Sequence, residues 1–461
     1  MSNLRARIDD VLKIARDMGL DFFDIHFEIV PFDVMTELAA YGLPIRGQHW
    51  SYGKVYDRQR IHGRMGLSKI FEIVVNSDPA YAFLLDTNRD FENIMIAAHV
   101  AAHVDFFKHN ALFASTNRDM VNEAAAHAAR LDGYKERYGL ERVEHLMDIA
   151  FALDRHIDVH KGLYRKPYPP RQAVEIERPE QPYDDLHGEE RYSIEKRVIG
   201  DRFPPHPEAD LLWFLIQYAP LEPWEQDVLS MIREEAYYFY PQFMTKILNE
   251  GWASFWHAEI MLTYDQLSPQ EMLDYAALNA SVVAPGSNLY VNPYYLGYQI
   301  LKDVERRFGR ERLFRIRTED DDISFLLNYL TEELCEKLQL FRYGRRCKGH
   351  TTHRPDCPRC QEVVIVSRDV NEVREAIVQE RYNYGVPRIV IDEVVSGTMR
   401  LEHVDRHERA LDLHFTQKTL QYIHELWKGP VTLVTSLPNG RGEIELRYDA
   451  NGFQKTHINP S

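Results

Sequence analysis

The stretch Ala97-Ala98-His99-Val100-Ala101-Ala102-His103-Val104-Asp105-Phe106-Phe107-Lys108-His109-Asn110 decides the reading of the fold. It lies within Phe91 to Phe113, where apolar residues recur at three- and four-residue spacing, the period of a helix. His99 and His103 then stand one turn apart on one face, roughly 6 Å along the axis. The alanines around them leave room for a second helix to approach closely. Two imidazoles so spaced can chelate one metal ion, although the same spacing also arises by chance. Outward from this segment, Asp119 to Tyr138, Leu140 to His156, Pro223 to Tyr240 and Pro241 to Tyr264 repeat the helical period. Pro241 suits the first turn of its helix, where no donor is lost.

Composition bounds what such a chain does. With 461 residues, about two to four domains are expected at roughly 100–200 residues each. Lys and Arg number 55 against 71 Asp and Glu, a formal charge of −16, which argues against a protein that lives on nucleic-acid phosphate. No apolar run approaches the roughly 18 residues of a membrane span. The first twenty residues read as an amphipathic helix without a signal-peptide apolar block, and four cysteines are too few for a secreted disulfide scaffold. A cytoplasmic protein with no integral membrane segment is expected. No P-loop, dinucleotide-binding or serine-hydrolase signature is present.

The second constellation is Leu248-Asn249-Glu250-Gly251-Trp252-Ala253-Ser254-Phe255-Trp256-His257. It resembles the downstream helix of gluzincin metallopeptidases, in which an Asn-Glu pair supplies the third zinc ligand. Joined to His99 and His103, Glu250 would complete a three-ligand open zinc site. The plainer reading pairs Glu250 with Lys246 one turn earlier on a helix surface. His257 lies about 10 Å beyond Glu250, too far to share the ion, and reads as a substrate contact or an ordinary core residue. In HExxH enzymes the Glu after the first His is the general base; here that position is Val100. The best substitute in the sequence is Glu144, with Asp148 on the same face, as base, fourth ligand or orienting group, against the alternative of a solvated acidic face.

The third constellation, Cys347-Lys-Gly-His350-Thr-Thr-His353-Arg-Pro-Asp-Cys357-Pro-Arg-Cys360, has the spacing of a closed structural zinc site. Cys347, Cys357 and Cys360 are its thiolates, with His350 or His353 as fourth ligand. A thiol redox pair or an exposed loop are the alternatives.

The expected organisation is α+β. A helical domain at 1–163 carries the HxxxH helix, and a Pro-rich linker or surface excursion spans 164–208. The helices continue over 209–342, the Cys/His loop occupies 343–361, and an α/β domain spans 362–461. Strands and helices after residue 362 alternate in the order β-α-β-β-α-β, which predicts a ferredoxin-like C-terminal domain.

Several blocks together resemble the SpoVR family (stage V sporulation protein R). They are AAYGLP and HWSYGK within 39–54, GLSKIFEIVVNSDPAYAFL at 66–84, AAHVAAHVDFFKHN at 97–110, ERYGLERVEHLMDIAFAL at 136–153, YFYPQFMTKILNEGWASFWH at 238–257 and NPYYLGYQI at 292–300. The resemblance implies a cytoplasmic bacterial protein linked to sporulation, in particular to formation of the peptidoglycan spore cortex. It also implies a stress-response role beside a PrkA-type serine protein kinase. The cysteine-rich insert departs from the family pattern, and Phe151 stands where relatives often carry His. Two functions are therefore carried forward. One is a gluzincin-like zinc hydrolase acting on an amide in a peptide or peptidoglycan precursor. The other is a non-enzymatic regulatory or scaffold protein.

Overall fold

Every residue from Phe91 to Phe107 is buried, so the histidine-bearing helix runs through a core rather than along a surface. The computed structural model describes residues 2–64, 72–168, 172–176, 195–199, 202–286, 291–346, 362–406, 409–437 and 442–458. In chain order the elements begin with α1 (Ser2–Asp17), β1 (Ile25–Val30), α2 (Phe32–Tyr41), α3 (Trp50–Arg64), β2 (Glu72–Val75), β3 (Ala80–Leu85), α4 (Asp90–His109), α5 (Met120–Tyr138) and α6 (Leu140–Leu153). They continue with β4 (Gln172–Ile176), β5 (Glu195–Ile199), α7 (Leu211–Tyr218), α8 (Pro223–Met244), α9 (Lys246–Thr263), α10 (Pro269–Val282), α11 (Pro293–Phe308), α12 (Arg310–Glu319), α13 (Asp322–Tyr329) and α14 (Glu332–Leu338). The last are β6 (Arg342–Arg346), β7 (Glu362–Ser367), α15 (Val370–Gln379), β8 (Ile389–Val395), β9 (Thr398–His403), α16 (Leu413–Trp427), β10 (Val431–Ser436), β11 (Glu443–Asp449) and β12 (Gly452–Ile458). The architecture is α+β. No described helix is long and apolar enough to cross a membrane.

The chain divides into two units, residues 1–144 with 237–385 and residues 145–236 with 386–461. In the first, α4 packs against α9, α1 and the small sheet β1-β3-β2, in which β1 is parallel and β2 antiparallel to β3. Ala98, Ala101 and Ala102 are fully buried in this core. Asp105, two residues beyond His103 and so on a different face, is also fully buried. Its carboxylate accepts from Arg317 (2.7 Å), from the Trp252 indole (3.0 Å) and from the Asp21 backbone (2.9 Å), tying α4 to α12, α9 and the chain before β1. Removing one partner of so buried a pair typically costs about 3–5 kcal/mol.

Helix α9 is held on two sides. Pro241 lies inside α8 rather than opening the next helix as expected. The break comes at Thr245, whose hydroxyl and N–H both return to the Pro241 carbonyl, at 2.7 and 3.1 Å. The first N–H groups of α9, on Ile247 and Leu248, donate to the carboxylate of Asp322 at 2.9 and 2.8 Å. Within the acidic run 320–322, Asp321 caps α13, while Asp322 is buried and its carboxylate accepts from the first turn of α9. Burial pushes the Asp322 carboxyl up to about 7 against the pull of those two backbone donors. Along the flank of α9, Gly251 meets Gly297 of α11. A Cβ on Gly251 would sit 2.5 Å from the Gly297 Cα, and one on Gly297 would sit 2.7 Å from the Gly251 Cα.

In the second unit five strands form a sheet in the order β12-β11-β10-β9-β8, with β9 and β10 parallel through α16 and the other pairs antiparallel. The expected ferredoxin-like βαββαβ arrangement is not formed. β7 pairs instead with β6 in a separate two-stranded sheet, and α15 buries Val373, Ile377 and Val378 in the helical core of the first unit. Periodicity assigns a strand its type but not its partner, and that pairing is decided by distant contacts. Within 164–208, β4 and β5 form an antiparallel pair. Cys347, His350, Cys357 and Cys360 lie outside the described residues.

Three outcomes are expected. Gly251→Ala and Gly297→Ala should each lower stability by about 1–3 kcal/mol in denaturant titrations, because an added methyl overpacks a backbone contact. Gly133→Ala in α5, where a Cβ meets nothing within 4 Å, should be neutral or stabilising by up to about 1 kcal/mol. The raised Asp322 carboxyl contributes stability that is full below its unfolded value and lost as pH rises toward about 7. Asp322→Asn should therefore weaken α9 overall yet make the fall of the thermal midpoint between pH 4 and 7 shallower.

Candidate metal centre

The helical spacing of His99 and His103 brings their rings edge to face, with Nε2 atoms 3.0 Å apart. From α9, Glu250 Oε2 lies 3.4 Å from His103 Nε2 and 3.6 Å from His99 Nε2. All three side chains are buried, and Glu250 Oε2 has no hydrogen-bond partner among the described residues. Two donors bound tetrahedrally to zinc at about 2.0–2.1 Å stand roughly 3.3 Å from one another, so the three separations match a shared cation.

Hydrogen bonds behind the cluster say which nitrogens carry protons. His103 Nδ1 donates to Asn249 Oδ1 at 2.9 Å, which leaves a lone pair on Nε2. His257 Nε2 donates to Asn279 Oδ1 at 2.8 Å, so its Nδ1 accepts from His99 Nδ1 at 2.9 Å, and the lone pair of His99 also falls on Nε2. A proton on either Nε2 would let that ring donate within the cluster, as the pull of the imidazoles on Glu250 requires, and in the tautomers favoured by Asn249 and Asn279 three electron pairs converge instead. That is repulsive by itself and favourable around a cation, and orienting bonds to ligand imidazoles are a regular property of metal sites. Burial, with His99 adding to it, pushes the His257 imidazole down to about 3, consistent with a neutral ring.

Electrostatics complete the cluster. Burial raises the Glu250 carboxyl, but Lys246 and the two imidazoles outweigh it and hold the group well below the usual carboxylate range. The Lys246–Glu250 pair expected from the spacing does form, yet through Oε1, leaving Oε2 for the imidazoles. Beside His99 a cavity of about 340 Å³ opens, with Met95, Ile96, Val282 and Tyr294 as its largely apolar wall and Glu72 as its carboxylate. Tyr294 stacks on His99 with centroids 6.2 Å apart. Burial pushes the Glu72 carboxyl up, with His99 opposing and Glu250 adding to it.

Of the residues singled out by sequence, His99, His103, Glu250 and His257 come together. Glu144 is half-buried on α6 and is not among the groups whose ligand atoms converge. Val100 is fully buried in the core. Glu72 and Asn279 have no signal in the sequence that marks them, since both reach the cluster only through tertiary packing; Asn249 is announced by its place beside Glu250.

The sequence profile described as "SpoVR like protein" matches residues 1–386. The chain belongs to the SpoVR family. A curated relative, "Uncharacterized protein YcgB" of Escherichia coli (strain K12), is 31% identical to this SpoVR-family chain over 328 residues, 65% of this chain and 62% of the relative. The matched region is thus less than two thirds of that relative's length. No solved structure matches the chain. The histidine helix, the Asn249–Glu250 helix and the strand carrying Glu72 all fall inside the family match.

Loss of an orienting bond should loosen a metal without removing a ligand. Asn249→Ala and Asn279→Ala are each expected to weaken zinc affinity about 10- to 100-fold in chelator competition, with the protein still folded.

Proposed function

We propose that this SpoVR-family protein is a metal-dependent hydrolase, with a divalent cation such as zinc held by His99, His103 and Glu250. Its substrate in this reading is an amide in a peptide or a peptidoglycan precursor. The observation that carries the reading is the meeting of three buried, lone-pair-bearing atoms at 3.0–3.6 Å beside a cavity of substrate size. A cation of this kind supplies Lewis acidity, drawing water ionisation toward neutral pH and polarising a carbonyl. The protein's own residues do the rest. Asn249 and the His257–Asn279 pair keep the ligand rings turned inward, Lys246 keeps Glu250 ionised, and the Met95, Ile96 and Val282 wall limits water around the reacting bond.

His257, with both ring nitrogens engaged and 1% of its surface exposed, acts in this reading as a positioning residue for His99. The gluzincin-like character is confined to the ligand set. A second, structural zinc at Cys347, His350, Cys357 and Cys360 rests on spacing alone. A cellular role in spore-cortex formation or stress response follows from the family resemblance.

Val100 supports a second reading, a regulatory or scaffold protein acting with a PrkA-type serine kinase, in which the cation only braces α4 against α9. The two are separated by elemental mass spectrometry of the purified full chain and of a His99→Ala/His103→Ala variant, followed by an amine-release screen with peptide and muropeptide substrates. The hydrolase reading expects the variant to lose about one metal equivalent and all release activity, with one equivalent retained by the cysteine loop. Equal metal content in the two proteins sinks the helical site, and a metal-loaded wild type that releases no amine favours the scaffold.

A further inference from the structure

We propose that Glu72 is the catalytic carboxylate of this pocket, taking over from β2 the proton transfer that Val100 on α4 cannot perform. The inference rests on the metal-hydrolase reading above and names the group that reading leaves open.

The geometry begins with what α4 lacks. The residue after His99 is Val100, fully buried among core side chains, so the histidine helix brings no acid to the cavity. The other carboxylates around the cluster are engaged. Glu250 is gripped by Lys246, Asp105 by Arg317 and Trp252, and Asp322 by the first N–H groups of α9. Glu92, one turn before Met95, accepts from the Arg89 backbone at 2.7 Å. Glu72 differs. It opens β2, which pairs with β3 in the register Glu72↔Leu84, and both strands lie against α4. Its side chain lines the same cavity as His99 and makes no hydrogen bond or ion pair among the described residues.

The rest of that wall offers no competing proton acceptor. Met95, Ile96 and Val282 are apolar. Asn292 is spent on its own loop: its carbonyl accepts from the Tyr294 N–H at 3.1 Å, and its amide donates to the carbonyls of Val282 and Ala284 at 3.0 and 2.8 Å. The charged and titratable groups around Glu72 are His99 and His103 from α4, Glu250 and Lys246 from α9, and the phenol of Tyr294 from α11, which lines the same cavity. A carboxylate so placed is free to exchange a proton without breaking a structural bond, which is what a general base requires.

The step balances without a further reactant. Glu72 takes one proton from water as the water oxygen bonds to the amide carbon. It returns that proton to the nitrogen as the C–N bond breaks. A carboxylic acid and an amine leave, and the carboxylate is regenerated.

The test uses full-length wild type, Glu72→Gln and Glu72→Asp, loaded with cobalt(II) as a spectroscopic substitute, with acetohydroxamate and azide as probes. Acetohydroxamate gives up a proton on binding and needs an acceptor nearby; azide does not. Cobalt stoichiometry and affinity should be unchanged in Glu72→Gln. Acetohydroxamate binding, followed in the cobalt absorption bands, should weaken about tenfold or more, with azide binding unmoved and partial recovery in Glu72→Asp. Loss of cobalt from Glu72→Gln would make Glu72 a ligand and overturn the proposal. Equal acetohydroxamate affinity in wild type and Glu72→Gln would make it a bystander and overturn the proposal alone. A wild type that binds no cobalt overturns the metal reading and this assignment together. Far-UV circular dichroism checks folding, and Glu72→Asp carries the comparison should Glu72→Gln be misfolded.

Discussion

At Gly251 and Gly297 two helix backbones touch with no side chain between them, and the position of α9 follows from that contact. A helix at ordinary packing distance would stand off by the thickness of a methyl or more. Here α11 presses on one flank of α9 while α4 packs against it from another side, so Glu250, the neighbour of Gly251, is carried in until its carboxylate meets both imidazoles. Cores are close-packed and stiff, and a displacement of about an ångström at that flank would be passed on to the carboxylate rather than absorbed.

The ends of these helices are fixed by buried charge, not by apolar contact alone. Asp105 and Asp322 each spend a carboxylate on donors from other segments, one gathering α4, α9 and α12, the other closing the N-terminus of α9. Such groups are costly to bury and weak as a net source of stability, but they define register, because a carboxylate satisfied by two or three particular donors tolerates no sliding. The protein uses them on the two helices whose relative register determines whether three ligand atoms meet.

The helices around His99 and Glu250 are legible in the sequence because their apolar residues keep a helical period over several turns, and the ligand set is legible because its spacing has a geometric meaning. The small sheet is not. Ala80 to Leu85 is a short apolar run that periodicity cannot tell from a helical segment, and Glu72 stands at the start of a strand of four residues. Its approach to the pocket depends on β2 pairing with β3 and on that pair lying against α4, contacts distant along the chain. The same limit explains the C-terminal region. The type of β7 and of α15 is read correctly from their patterns, yet β7 pairs with the strand before it and α15 packs into the helical core of the first unit, so neither joins the sheet that follows them. Asn279 on α10 escapes for a third reason: its effect on His99 passes through another side chain, His257, and only coordinates reveal a relay.

Lys246 has a consequence beyond keeping Glu250 ionised. One ammonium and one carboxylate cancel, so the ligand set as a whole is neutral, and a dication seated in it on the metal reading would leave its full charge uncompensated. Glu72 in the same cavity removes one unit of that charge while it is ionised. The enclosure would then carry a single net positive charge against low-dielectric walls, where it is poorly screened. On the same reading Glu72 gives up its unit when it takes the proton from water, so the enclosure returns to two positive charges just as the attacked carbonyl acquires its negative one, and their attraction is greatest then rather than when the amide first enters.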